Sequence, residues 1–182
     1  MELATERLCL RCLETGDAEA LVTYLNDWEV TRWLARPPYP YTAADAAAFT
    51  QFMREWHEGA RPLLFAIAEL GDNRLCGVIG IDAFEGGGGE LGYWLGRPFW
   101  GRRYGSEAAI ALIAAAAVAG LSHLTAYADP LNARSIRLLE ACGFRGQGEE
   151  VRDGRNGPAP MRCFLLQPLT PDGNRRSSAA PA

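Results

Sequence analysis

The chain changes character at Tyr93-Trp94-Leu95-Gly96-Arg97-Pro98-Phe99-Trp100-Gly101-Arg102-Arg103-Tyr104-Gly105-Ser106-Glu107-Ala108. An apolar strand runs into a loop of glycines and arginines, and the loop opens directly into a helix. Such a junction aims successive backbone N–H groups and the positive end of the helix dipole at one point, which makes an anion site. Small residues at Gly101 and Gly105 let a phosphate approach the backbone, and Arg102 or Arg103 adds charge-assisted hydrogen bonds. The alternative is an ordinary strand-to-helix turn carrying surface arginines.

On the N-terminal side of this junction, Leu63 to Ala68 and Leu75 to Ile81 read as strands separated by the turn Gly71-Asp72-Asn73, which predicts an antiparallel hairpin. Gly86 to Gly89 makes the next turn, and Glu90 to Leu95 is a third strand of the same meander. Earlier still, Thr5 to Leu13 alternates polar and apolar residues, so Leu8, Leu10 and Cys12 are expected to face the core. Asp17 is placed to cap a helix carrying Leu21 and Leu25. A second helical segment through Val30, Trp33 and Leu34 stops at Pro37-Pro38. Thr42 with Asp45 resembles a capping box, followed by Ala46, Phe49, Phe52, Met53 and Trp56 at helical spacing up to Gly59.

On the C-terminal side, a long, nearly all-apolar helix is expected from about Ser106 to Ala119, with Gly120 at its end. His123 to Ala128 is a strand after it, so strand, helix and strand form a crossover with two parallel strands. Asn132 caps a further helix that Gly143 ends, and two closing strands span about Phe144 to Arg152 and Met161 to Gln167. The expectation is therefore a mixed α/β (α+β) fold: a central, mostly antiparallel sheet of six to seven strands with one parallel pair, flanked by helices. Residues 1–168 are expected to form a single domain, and 169–182, rich in Pro, Gly, Ser, Arg and Ala, a disordered tail.

At 182 residues with 48% hydrophobic and 22% charged content, the chain suits one domain with a substantial core. Its longest apolar stretch, Ala108 to Leu121, is shorter than a bilayer span, so no membrane association is expected. The net charge of −4 argues against broad nucleic-acid binding, which needs a basic surface, and is compatible with a cationic acceptor such as an amine. Five cysteines, Cys9, Cys12, Cys76, Cys142 and Cys163, are odd in number and lack paired zinc-ligand spacing, which suits reduced thiols in a cytoplasmic protein. Cys9 and Cys12 form a C-x-x-C pair, but Leu10 and Arg11 continue the strand pattern between them. His57 and His123 show no metal-partner spacing, and no metal is expected. Gly87-x-Gly89-x-x-Gly92 formally satisfies the dinucleotide fingerprint, yet it leads into a strand instead of a helix and is set aside.

The junction resembles the cofactor loop of the GNAT superfamily of N-acetyltransferases. In its branch acting on ribosomal-protein N-termini (RimJ/RimL-like), Gly-Tyr-Trp-Leu, a spacer, then Trp-Gly-x-Gly-Tyr-Ala-Thr-Glu-Ala is a recurrent form. This chain reads Gly92-Tyr93-Trp94-Leu95, then Trp100-Gly101-Arg102-Arg103-Tyr104-Gly105-Ser106-Glu107-Ala108. The departure is Arg103, where the family has glycine; an arginine keeps its N–H donor and suits the loop if its φ is negative. A second segment, Asp129-Pro130-Leu131-Asn132-Ala133-Arg134-Ser135-Ile136-Arg137-Leu138-Leu139-Glu140-Ala141-Cys142-Gly143-Phe144, is similar to the superfamily's Asp-Pro-x-Asn-x-x-Ser-x-x-x-(Leu/Tyr)-Glu-x-x-Gly-Phe. With Thr5-Glu6-Arg7-Leu8 and Asn26-Asp27-Trp28-Glu29-Val30, the likeness covers roughly residues 5 to 168.

The resemblance implies acetyl-CoA as cosubstrate, held by Trp94, Leu95, Gly101, Arg102, Arg103, Tyr104, Gly105 and Ser106, with Asn132 on the pantetheine arm. Acetyl transfer needs a neutral amine, donors for the developing oxyanion and an acid for the leaving thiolate. The resemblance puts a general base at Glu90, whose alternative reading is a solvated residue at a hairpin edge. The tyrosine that is the acid in many members would fall at Leu139, which has no proton to give. Relatives in the ribosomal branch use the serine that corresponds to Ser135, whose alternative reading is a local helix-start hydrogen bond. Backbone N–H groups near Tyr93 to Leu95 are the implied oxyanion donors. Trp28, Trp33, Tyr39 and Tyr41 are candidates to line an acceptor pocket, or else simple packing. The implied acceptor is a protein N-terminal amine, with a polyamine or aminoglycoside-type amine as the alternative, and a non-catalytic acyl-CoA-binding module as the reading from another class. The chain is expected to act as a monomer or homodimer.

Overall fold

The computed structural model describes residues 2–59 and 63–169. The strands are β1 (Leu3–Ala4), β2 (Leu8–Arg11), β3 (Leu64–Glu69), β4 (Leu75–Phe84), β5 (Gly88–Leu95), β6 (His123–Ala128), β7 (Arg145–Gly154) and β8 (Gly157–Leu166). The helices are α1 (Ala18–Leu25), α2 (Trp28–Thr31), α3 (Ala43–Glu58), α4 (Tyr104–Val118) and α5 (Ala133–Ala141). One sheet runs in the order β1-β2-β3-β4-β5-β6-β8-β7, and every neighbouring pair is antiparallel except β5–β6. The mixed α/β architecture with its parallel pair is as the periodicities predict. The strand count is eight because Leu3–Ala4, ahead of the expected first strand, folds back antiparallel on β2 through a turn at Thr5–Arg7 whose polar groups bind α4.

Each face of the sheet carries its own core. On one, α4 and α5 bury Ala108, Leu112, Ile113, Ala116, Ile136 and Leu139 against Leu10, Phe65, Ile79, Leu91, Leu124 and Phe164. On the other, Leu21 and Leu25 of α1 and Ala46 and Met53 of α3 pack on Ala66, Leu75 and Val78. Because both faces are covered, the central strands are apolar runs without clean alternation. Cys12 is accordingly only half-buried, contrary to the period-two reading: the ladder ends at Arg11, and Arg11 and Leu13 take the buried positions beside it.

Arg11 is buried because all five of its N–H donors are satisfied. Nε bonds Asn73 Oδ1 at 2.7 Å, Nη1 bonds Cys12 O and Asp17 Oδ2 at 2.9 and 2.7 Å, and Nη2 bonds Asp17 Oδ1 and Asn73 O at 3.0 Å each. Asp17 therefore does not cap α1 with its side chain; its carboxylate takes the guanidinium and the Glu14 N–H instead. The Thr42–Asp45 capping box of α3 forms as expected. Shorter adjustments follow from local chemistry. α2 ends at Thr31, before Trp33 and Leu34, and α4 starts two residues earlier than Ser106. Gly88 and Gly89 belong to β5: a Cβ at Gly88 would meet Phe84 and His123, and one at Gly89 would meet Ile81, at 2.4–2.6 Å. The β7–β8 hairpin is longer than expected and turns at Arg155-Asn156. The expected disordered tail falls, apart from Leu169, outside the described residues; the Leu169 N–H donates to Ser122 O. Among the described residues, no helix is long and apolar enough to cross a membrane.

Candidate active site

The site begins where the parallel pair comes apart. β5 and β6 are in register only at Gly88↔His123, Gly89↔Leu124 and Glu90↔Thr125, after which β5 continues to Leu95 with no partner on that edge. The Gly96 N–H bonds Cys76 O on β4, so the even-numbered residues of β5 turn their backbone groups toward β4. Beyond the last bridge, Tyr93 and Leu95 consequently present theirs to the gap. One of these, the Leu95 carbonyl, accepts the Trp100 indole N–H at 2.9 Å and anchors the loop that follows. A single continuous cleft of about 2240 Å3 passes through this opening, with the loop on one side and Glu90 on the other. That is more than one small ligand needs, and it leaves room for two substrates to meet.

On the loop side, Gly101 has φ +76° with open space around it, and Arg103 has φ +64°, ψ +13° as the residue that caps α4. Arg103 thus occupies the left-handed region, so the negative φ set as the condition for an arginine in this loop is not met, and its backbone takes the conformation that the glycine of the related loop form favours. The N–H groups of Tyr104, Gly105 and Ser106, in the first turn of α4, have no intrahelical acceptor, which is the donor arrangement that suits an anion. Not every loop residue faces these donors. The Arg102 guanidinium turns away from the cleft to lie 3.5 Å from Glu69 on β3, and the Tyr104 hydroxyl donates to the same carboxylate at 2.8 Å. The Tyr104 hydrogen bond, reinforced by Arg74, holds the Glu69 carboxyl below its ordinary range. Arg102 is therefore an anchor for the loop; Arg103 lines the cleft. Gly105 also has a different duty from the one expected: the space of its missing Cβ is filled by Leu138 of α5, whose Cδ1 would lie 2.5 Å away. Its smallness lets α5 pack close.

α5 brings Asn132 and Ser135 to the cleft. The Asn132 side chain accepts the Ser135 backbone N–H at 3.2 Å, so the helix-start bond uses the serine's backbone, and its hydroxyl is directed elsewhere. The Ser135 Oγ lies 2.9 Å from the Tyr93 hydroxyl. Nearby, the Arg134 guanidinium covers the Trp100 ring at 4.4 Å. Leu139 is fully buried in the core.

On the opposite side, Glu90 is no free hairpin residue. Its Oε2 accepts Arg152 Nη2 of β7 at 2.7 Å, and the same guanidinium lies 4.0 Å from the Tyr127 ring centroid. Burial pushes the Tyr127 hydroxyl up to about 12. Asp82 is the cross-strand neighbour of Glu90 on β4 and also lines the cleft. The β7–β8 hairpin roofs this side: Arg155 at its tip donates to the carbonyls of Leu34 and Pro37 at 3.2 and 2.8 Å.

Of the four aromatic candidates, only Trp33 lines the cleft. Trp28 and Tyr39 pack on each other at 5.3 Å on the surface, beside Arg155. Tyr41 is in the core, its backbone clamped by the Asn26 side chain, and burial raises its hydroxyl to about 12. Trp94 lines the cleft from the α1–α3 face, and Leu95 from the other. Sequence reading missed Arg152, Tyr127, Asp82 and the hydroxyl of Tyr93. The first two come to Glu90 from strands far along the chain, with no motif to mark them. Tyr93 was marked by its motif, but only for its backbone. Among the described residues, no group of three His, Cys, Asp or Glu side chains is arranged to hold a metal.

The acetyltransferase (GNAT) domain family model matches residues 7–145. The chain is 32% identical over 149 residues to the uncharacterized N-acetyltransferase p20 of Bacillus licheniformis, covering 80% of this chain and 83% of that one. It is similar to the solved structure of a candidate ribosomal-protein-serine acetyltransferase from Vibrio cholerae, with 26% identity, a TM-score of 0.77 and coverage of 92% and 98%. It shares the fold of the ribosomal L7/L12 alpha-N-protein acetyltransferase RimL, solved with coenzyme A, at 18% identity, a TM-score of 0.78 and coverage of 94% and 99%.

Proposed function

The chain belongs to the GNAT acetyltransferase family, and from that premise we propose that it transfers the acetyl group of acetyl-CoA directly to a protein N-terminal amine. The observation that carries the mechanism is that Glu90, the unpaired backbone of Tyr93 and the Ser135 hydroxyl all flank the opening between β5 and β6. The acceptor is supported by the likeness to a candidate ribosomal-protein acetyltransferase and by a roofed channel beside Asp82, a carboxylate that forms no ion pair among the described residues and attracts an ammonium group, whereas Glu90 is paired with Arg152.

The first turn of α4, with Gly101 and Arg103, binds the pyrophosphate through backbone N–H groups, and the Asn132 end of α5 steadies the pantetheine arm. Glu90 takes the proton of the amine, directly or through one water, with Arg152 holding the carboxylate in place. The Tyr93 N–H, open on the β6 side, stabilises the oxyanion as nitrogen adds to the thioester carbon. Ser135 donates a hydrogen bond to the departing sulfur.

The test is incubation with acetyl-CoA and a panel of N-terminal peptides, polyamines and aminoglycosides, following thiol release and peptide mass. Acetylation of peptide α-amines is expected, with Glu90→Gln lowering kcat roughly 10²–10³-fold at unchanged acetyl-CoA affinity. Acetylation of polyamines or aminoglycosides alone would replace the acceptor, and full activity in the Gln variant would remove Glu90 as the base.

A further inference from the structure

The Tyr93 hydroxyl is held inside the protein with one hydroxyl neighbour. It lies 2.9 Å from Ser135 Oγ and 3.4 Å from the Ser135 carbonyl, and no other hydrogen-bond partner is recorded for it among the described residues. Burial pushes this phenol well above its ordinary range, even though the Ser135 contact pulls the other way, so it stays protonated wherever the protein is folded near neutrality. Either oxygen of the 2.9 Å contact can donate; with the phenol protonated, donation from Tyr93 to Ser135 Oγ is the arrangement that leaves the serine its own proton. Ser135 Oγ then acts as acceptor toward Tyr93, and its single proton is left to point away from Tyr93, toward the cleft. The Ser135 backbone N–H is already committed to Asn132, which fixes the helix turn on which the serine sits.

We propose that Tyr93 is a positioning residue that sets the direction of the Ser135 hydroxyl proton, so that Ser135 donates to the sulfur of CoA. The inference rests on the reading of Ser135 as the donor to the leaving group. It explains how a serine suffices where Leu139 offers no proton. A lone hydroxyl rotates among three staggered positions and competes for the carbonyl one turn back; an oriented one meets the thiolate without reorganising as charge develops. The phenolic hydroxyl is supplied from β5 instead of from α5, and it acts through the serine. No covalent step is involved: the sulfur receives a hydrogen bond, and Tyr93 keeps its own proton.

The experiment uses CoA itself and needs no acceptor. The pH dependence of the thiolate absorbance of bound CoA, taken as the difference from bound desulfo-CoA to cancel the protein's own tyrosines, is compared in the wild type, Tyr93→Phe, Ser135→Ala and the double variant. Calorimetry in parallel reports CoA affinity and thermal unfolding reports folding. The thiol of bound CoA is expected to ionise at lower pH in the wild type than in Ser135→Ala. Tyr93→Phe should recover most of that difference, and the double variant should add nothing to Ser135→Ala. With an acceptor in hand, kcat should fall roughly tenfold in Tyr93→Phe at unchanged KM for acetyl-CoA, and the two substitutions should be non-additive. If Ser135→Ala shifts the thiol and Tyr93→Phe does not, or if their effects add, the positioning role is overturned while the serine reading stands. If neither shifts it, the serine reading fails and this inference falls with it.

Discussion

Glu107, in the first turn of α4, is bound to Arg7 from the far end of the chain. Its carboxylate accepts the Arg7 backbone N–H at 2.9 Å and Nε at 2.8 Å, with Nη2 at 2.5 Å, and takes the Thr5 hydroxyl at 2.6 Å. The N-terminal Thr-Glu-Arg-Leu and the Glu of the loop motif, a hundred residues apart in sequence, are the two halves of one contact that ties the turn between β1 and β2 to the start of α4.

Acid should loosen this contact. Burial raises the Glu107 carboxyl, but the bonds from Thr5 and Arg7 outweigh burial and hold it below the ordinary glutamate value of 4.5. A depressed folded-state value means that the stabilisation is complete above about pH 4.5 and is lost as the pH falls through the folded-state value. Glu107→Gln should cost about 1–2 kcal/mol at neutral pH and flatten the acid limb of stability as the pH falls below the ordinary glutamate value of 4.5. Denaturant unfolding as a function of pH checks this, and a Gln variant with the wild-type acid limb would contradict it.

At Arg103 the backbone and the side chain have opposed interests. A non-glycine residue in the left-handed region costs roughly 1–2 kcal/mol, partly offset by about 0.4–1 kcal/mol of unfolded-state entropy that glycine adds. Arg103→Gly should therefore unfold at the same temperature or about 2–4 °C higher, while acetyl-CoA binding weakens several-fold through loss of a cation beside the first turn of α4. Calorimetry and thermal unfolding read the two effects separately. Tighter binding in the glycine variant would mean that the arginine obstructs the loop.

The Arg155 clasp predicts a change in only one substrate. Arg155→Ala removes both hydrogen bonds between the hairpin tip and the Leu34 and Pro37 carbonyls, at a cost of about 1 kcal/mol. Amide exchange in the β7–β8 hairpin should quicken, and KM for the acceptor should rise several-fold with KM for acetyl-CoA unchanged. Unaltered exchange and kinetics would show that the hairpin holds its place without the clasp.

Much of the architecture was legible from local signals, because those signals act over a few residues. The Thr42–Asp45 box, the turn at Gly71-Asp72-Asn73, the glycines ending α4 and α5, and the strand-loop-helix junction each carry their own steric or hydrogen-bonding reason. Boundaries were less legible. Gly88 and Gly89 look like turn residues by composition, yet side chains from Phe84, His123 and Ile81 occupy the space beside them and make them strand. The site was legible where a motif holds it together, as with Asn132 and Ser135 on one helix turn. Tyr41 was misplaced among the acceptor candidates because an aromatic residue beside prolines reads the same whether it faces a cleft or a core.

By itself, then, the sequence determined the order of strands and helices, the parallel crossover and the strand-loop-helix junction, since these follow from periodicity, turn chemistry and backbone donors that neighbours in sequence provide. Only the tertiary structure decided which groups meet across the opening: Arg152 on Glu90, Arg155 on Pro37, Leu138 in the space above Gly105 and Tyr93 on Ser135. These are contacts between residues more than thirty positions apart. Their geometry depends on how the sheet splays after Glu90 and how closely α5 packs on α4, and neither is encoded by any short stretch of chain.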